Sequence, residues 1–231
     1  MPNLIHKHLL QVKTQIIEAE HRFQRLNHSV KLIAVSKSQP IQAIKEAIDA
    51  GQFVFGENYA QEAVEKIKQL QGNDLEWHFL GGIQSNKTKL IAENFHWVHS
   101  LCAVKTAARL NKYRAVNLQP LNVCIQINLD QEPNKAGIYL EDLTAFAQSL
   151  EKLPYLKLRG LMTIPKKRTK FSAQRNSFKK LRLAFIKLQQ LGFKIDTLSM
   201  GMSDDFVAAI AEESTCVRIG TAIFGRRPSS R

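Results

Sequence analysis

The chain has little cysteine, little acid and no long apolar run. Its three cysteines, Cys102, Cys124 and Cys216, lie far apart in 231 residues, and no two have the Cys-x-x-Cys spacing of a metal or redox pair. An odd number of well-separated thiols argues against a disulfide framework and against a zinc site, so no metal is expected. No stretch approaches the ~18 consecutive apolar residues of a membrane-spanning helix. The first 25 residues mix His, Lys, Gln and Glu among apolar ones and lack the apolar core of a signal peptide. The expectation is a cytoplasmic chain with no membrane partner. No linker rich in Pro, Gly and Ser divides the sequence, so one domain over residues 1–231 is expected.

Asp and Glu number 20 against 33 Lys and Arg, a formal net charge of +13. The imbalance is local. Residues 152–195 hold no acid, whereas Lys166, Lys167, Arg168, Lys170, Arg175, Lys179, Lys180, Arg182 and Lys187 crowd together. Such a surface attracts anions, yet the stretch carries no motif that reads DNA or RNA. It reads as a solvated helix face preceded by a mobile basic loop at 165–172, with no specific nucleic acid as partner. The remaining composition, 44% hydrophobic and 23% charged, is that of an ordinary globular protein.

Apolar residues at Leu9, Val12, Ile16, Ala19, Phe23 and Leu26 recur every three or four positions, which predicts an amphipathic helix over 4–26. Short β-rich runs then alternate with longer helical ones. Strands are expected at 32–36, 53–55, 77–80, 97–100, 122–128, 158–164, 197–200 and 216–219. Helices are expected between them at 41–50, 59–70, 87–93, 104–113, 140–150, 173–191 and 205–212, with a short last one at 222–225. Alternation of this kind implies parallel pairing. Eight units favour an α/β fold of the (β/α)8 barrel (TIM barrel) type with an extra N-terminal helix, over a doubly wound sheet.

In such a barrel the functional site lies where the strands end. The polar residues there are Lys37, Asn58, Gln84, Ser85, Asn86, His99, Ser100, Asn128, Ser199, Ser203, Arg218, Gly220 and Thr221. Lys37 closes an apolar strand, and an amine held partly out of water favours its neutral, nucleophilic form. A lysine that merely snorkels to solvent is the plainer reading of that residue alone. Gly220 and Thr221, with the glycine-flanked Ser199 and Ser203, offer backbone N–H groups and hydroxyls that suit a phosphate. Arg218 interrupts an apolar strand and needs a partner, either a carboxylate such as Glu57 or the ring nitrogen of a ligand. His78 and His99 read as satisfied interior histidines.

Several runs carry a resemblance: Ala-Val-Ser-Lys-Ser at 34–38, Phe-Gly-Glu-Asn-Tyr at 55–59, Trp-His-Phe-Leu-Gly at 77–81 and Gln-Ser-Asn-Lys at 84–87. Further on come Gln-Ile-Asn at 126–128, Lys-Ala-Gly at 135–137, Arg-Gly-Leu-Met at 159–162, Leu-Ser-Met-Gly-Met-Ser at 198–203 and Val-Arg-Ile-Gly-Thr-Ala-Ile-Phe-Gly at 217–225. Together they resemble the YggS/PROSC family of pyridoxal 5′-phosphate (PLP) homeostasis proteins. The resemblance implies a barrel like the N-terminal domain of alanine racemase, with PLP held as a Schiff base on Lys37. It further implies Asn58 near the cofactor ring, Ser203, Gly220 and Thr221 at the phosphate, and Arg218 facing the pyridine nitrogen. Met200 and Met202 would line the pocket, and Ser199 with them. Two departures, Gly82 where the family usually has Pro and Cys102 where an Asp is common, lie beside the rim.

The implied function is storage, buffering or delivery of PLP by a monomer, with PLP-dependent apoenzymes as partners. A PLP-dependent amino-acid racemase is the alternative, and a barrel holding an unreactive phosphate ligand or RNA is a third reading. Racemisation in the related fold needs a second base from a further β-domain. No such domain is expected after the eighth strand, and Tyr59 is the nearest candidate base, so no racemase activity is expected.

Overall fold

The computed structural model describes residues 4–225; the ends of the expected 1–231 domain lie outside them. The first half runs α1 (Leu4–Arg22), β1 (Lys31–Val35), α2 (Ile41–Asp49), β2 (Val54–Glu57), α3 (Ala60–Gln69), β3 (Glu76–Phe79), α4 (Thr88–Asn94) and β4 (Trp97–Leu101). The second half runs α5 (Val104–Tyr113), β5 (Leu121–Ile127), α6 (Leu143–Leu150), β6 (Leu156–Thr163), α7 (Phe171–Gln190), β7 (Thr197–Ser199), α8 (Phe206–Ala211), β8 (Cys216–Ile219) and α9 (Thr221–Phe224). The strands pair in sequence order, all parallel, and β8 closes on β1 with Lys31 opposite Cys216 and Ile33 opposite Arg218. The (β/α)8 barrel expected from the alternation is therefore the fold. Among the described residues, no helix is long and apolar enough to cross a membrane.

The apolar core fills the layer between strands and helices, where Phe55, Phe79, Ile91, Leu110, Ile125 and Phe178 are fully buried. The barrel lumen differs. His99 on β4 reaches Ser199 on β7, and Arg218 on β8 reaches the carbonyl of Thr163 on β6. Those strands are not neighbours, so these bonds cross the interior. His78 and His99 each have both ring nitrogens hydrogen-bonded, as expected of interior histidines.

Helix α1 stops at Arg22, short of the periodic pattern that runs to Leu26. Tertiary hydrogen bonds override the pattern there. The buried Glu20 carboxylate accepts the N–H groups of His28 and Val30 and the Ser29 hydroxyl, folding the chain back toward β1. Gln24 and His28 take positive φ in the turn. Arg25 donates to the carbonyls of Ile210 and Ser214 at the end of α8, and His8 bonds the Ile223 carbonyl of α9. The extra helix thus braces the two helices that flank β8.

The basic loop after β6 is tied down rather than mobile. The Lys166 N–H and the Arg168 guanidinium both bind the Asp130 carboxylate, and Gln174 donates to the Arg168 carbonyl. Lys167 pairs with Asp204, and Arg175 and Arg182 pair with Glu212. The acids missing from residues 152–195 are supplied by neighbouring elements.

Candidate functional site

Strand β1 ends at Val35, and the next three residues turn outward over the rim. Ser36 donates its N–H to Gly56 and its hydroxyl to the Glu57 carboxylate at 2.7 Å. The Lys66 ammonium, projecting from α3, donates to the Ser36 carbonyl (2.8 Å), to Glu57 (2.7 Å) and to Glu62 (2.6 Å). An ammonium has three protons, and all three are used. Glu62 also accepts the N–H of Ser38, whose φ is +58°. Lys37 thus sits between two residues whose backbones are both fixed by one buried charge cluster. Burial pushes the Glu57 carboxyl above its usual range, against the opposing pull of Lys66, and its Oε2 has no hydrogen-bond partner.

Half-buried Lys37 lines a cavity of about 630 Å3 together with Asn58, Met202, Ser203, Arg218, Gly220 and Thr221. That size suits a small organic ligand. Arg218 is buried and uses two of its five N–H groups within the protein, on Ser199 Oγ (2.6 Å) and the Thr163 carbonyl (2.9 Å). Among the described residues it pairs with no carboxylate: Glu57, the partner considered above, is engaged with Lys66 and Ser36.

Beside the end of β1, where Gly220 lies against Val35, Thr221 and Ala222 open α9, whose first N–H groups have no acceptor within the helix. Ser203 comes from the loop after β7, whose shape depends on Gly201. Gly201 has φ +100°, a Cβ there would lie 2.7 Å from that of Ala209, and its carbonyl accepts the Arg218 N–H. Asn58 is placed by the close approach of Gly81, where a Cβ would fall 2.0 Å from the Asn58 carbonyl oxygen.

Met200 is a correction. It is fully buried in the core and does not line the cavity, which takes Met202, Met162, Ile164 and Leu80 as its apolar wall. Gly201 between them has φ +100° and turns the chain, so Met200 and Met202 do not share a face. Ser199 lies under Arg218 rather than on the cavity wall. Asn128 spends its amide on the carbonyls of Glu132 and Lys135, bracing the β5–α6 loop.

Tyr59, Gly82, Gln84, Ser100 and Cys102 line a neighbouring cavity of about 610 Å3, which shares Asn58 with the first. Both sequence departures therefore fall outside the Lys37 cavity. The Lys66, Glu62 and Ser36 cluster was not anticipated. Glu62 and Lys66 are spaced as an ordinary surface pair on one helix turn, and only the fold brings Glu57 to them.

Residues 18–228 match the model of the alanine racemase N-terminal domain. The chain is 50% identical over 226 residues to the pyridoxal phosphate homeostasis protein of Haemophilus influenzae, covering 96% of this chain and 95% of that one. It is 49% identical over 232 residues to the protein of the same name in Escherichia coli K12, with 99% of each covered. The structure of PipY from Synechococcus elongatus PCC7942 with PLP bound superposes with a TM-score of 0.85 at 37% identity, over 96% of this chain and 100% of that one. Alanine racemase from Corynebacterium glutamicum shares the fold, with a TM-score of 0.70 at 15% identity over 98% of this chain and 61% of that one. The chain thus belongs to the pyridoxal phosphate homeostasis protein family, within the wider family of alanine racemase N-terminal domains.

Proposed function

We propose that this protein binds PLP covalently through Lys37 and holds it reversibly, to store, buffer or deliver the cofactor. The observation that carries this reading is the convergence of an amine, a buried guanidinium and a hydroxyl-lined helix start on one cavity. The group fits the residues present. Bound PLP would supply an aldehyde that condenses with a primary amine with loss of water, and Lys37 would be that amine. Arg218, with N–H donors to spare, faces the ring nitrogen and keeps it unprotonated, which weakens the ring as an electron sink. Ser203, Gly220 and Thr221 hold the phosphate, and Asn58 stands beside the ring. The PLP bound in the PipY structure supports PLP as the ligand.

The same cavity favours a carrier over a racemase. Among its described lining residues the ionisable ones are Lys37, Asp204 and Arg218. Asp204 is exposed and pairs with Lys167, and Arg218 does not give up a proton. A second base within reach of a substrate is lacking in this set. Tyr59 is 55% exposed and lines the other cavity. In this reading the protein works in the cytoplasm as a monomer, and apoenzymes that need PLP receive it. Titration of the purified protein with PLP tests the proposal. A new absorption band near the visible edge, lost in Lys37→Ala, supports it. A protein that stays colourless overturns it, and robust racemase turnover replaces the carrier with an enzyme.

A further inference from the structure

A continuous chain of hydrogen bonds runs through the lumen from the Lys37 cavity to the opposite end of the barrel. Arg218 Nη1 lies 2.6 Å from Ser199 Oγ, and Ser199 Oγ lies 2.7 Å from His99 Nδ1. His99 Nε2 lies 2.8 Å from His78 Nδ1, and His78 Nε2 lies 2.6 Å from Glu76 Oε1. Glu76 opens β3 and is bound by Lys31, which opens β1, so both sit where the strands begin. Arg218, His99 and His78 are buried, as is Ser199.

The two ends of this chain dictate its direction. A guanidinium only donates and an ionised carboxylate only accepts. Glu76 is held ionised, its pKa lowered to about 2 by hydrogen bonds from His78 and Lys31 that outweigh its burial. Burial keeps both histidines neutral, with His78 lowered to about 4 and His99 well below its usual value. Each imidazole then has one proton. His78 must put it on Nε2 to reach Glu76, so its Nδ1 accepts. His99 must put its proton on Nε2 to serve that acceptor, so its Nδ1 takes the Ser199 hydroxyl proton. Ser199 in turn accepts from Arg218. Every donor points from Arg218 to Glu76, and bonds aligned this way polarise one another.

We propose that Glu76 is a positioning residue for Arg218, acting through Ser199, His99 and His78 from the far end of the barrel. The chain fixes the Arg218 side chain and leaves its remaining donors for the cavity. The other charged or titratable groups facing it are Asp205, Cys124 and Cys216 around Arg218, and Lys31 and His96 around His78. Asp205 accepts the Met202 N–H and is the carboxylate whose charge acts on Arg218. The consequence for the cavity rests on reading it as the PLP site; the polarity of the chain does not.

Two-bond 1H–15N correlation spectra of the 15N-labelled protein without PLP, at neutral pH, test the chain directly. Both histidines should show the neutral Nε2–H pattern. In Glu76→Gln, whose site is partly exposed, the His99 nitrogen resonances should shift even though no contact of His99 is altered. Ser199→Ala should move His99 and the Arg218 side-chain signals together. An Nδ1–H tautomer on His99 would overturn the proposal, as would Glu76→Gln changes confined to His78 and Lys31. A polarised chain in a protein that fails to bind PLP would instead count against the cofactor reading alone.

Discussion

Lys66 and Glu57 form a buried ion pair at 2.7 Å, and the same ammonium holds the carbonyl of Ser36, the residue before Lys37. The nucleophile proposed here is therefore positioned by a charge cluster that lies outside its own strand. Lys66→Met leaves Glu57 buried without its cation. Removing one member of a buried pair costs about 3–5 kcal/mol. Because burial already pushes the Glu57 carboxyl upward, it relieves itself by taking a proton, which places the loss near the lower bound. Urea unfolding should show a deficit of about 3 kcal/mol at neutral pH that shrinks in mild acid. A deficit that does not change with pH would contradict this account.

The barrel was legible in the sequence because parallel strands and their helices leave a strong alternation, and because Lys37, Arg218, Gly220 and Thr221 each end or follow a strand. Helix ends were less legible. Leu26 continues the periodicity of α1, yet Glu20 captures the next turn through bonds to His28 and Val30 that the helical period does not encode. Met200 and Met202 look alike in sequence, and only the path of the chain after β7 separates the core position from the cavity wall. The lumen network is spread over β3, β4, β7 and β8, so its members carry no shared spacing.

Acid should weaken the fold through the lumen histidines. The folded pKa of His78 is lowered to about 4 by burial, below the roughly 6.5 of an unfolded histidine. Between those values the unfolded chain binds a proton that the native state does not. Stability therefore rises with pH across that window and is lost as pH falls through it. The His78 contribution amounts to about 3 kcal/mol, and His99 adds in the same direction. Unfolding free energies at pH 7 and pH 4.5 should differ clearly, and the difference should narrow in His78→Asn. A flat profile between those pH values would contradict the burial argument.

Gly201→Ala should disturb the Ser203 loop and Arg218 together. The backbone there has φ +100° and a Cβ would press on Ala209 and Phe206. Strain of this kind costs about 1–3 kcal/mol. Thermal unfolding should show the lowered stability, and PLP titration should show weaker binding. Unchanged stability and binding would mean that the loop relaxes freely.

Thr221→Ala removes one hydroxyl from the proposed phosphate end while leaving Lys37 in place. A hydrogen bond to a charged group contributes about 1.5–3 kcal/mol, so the Kd for PLP should rise roughly tenfold or more. The adduct on Lys37 should still form at saturating PLP. Equal affinity in the variant and the parent protein would remove Thr221 from the phosphate site.

Borohydride reduction of the protein mixed with PLP, followed by peptide mapping, tests the central claim most directly. The account predicts a single stable pyridoxyl adduct on the peptide that carries Lys37, absent in Lys37→Ala. No adduct, or one on another lysine while Lys37 stays unmodified, would contradict it.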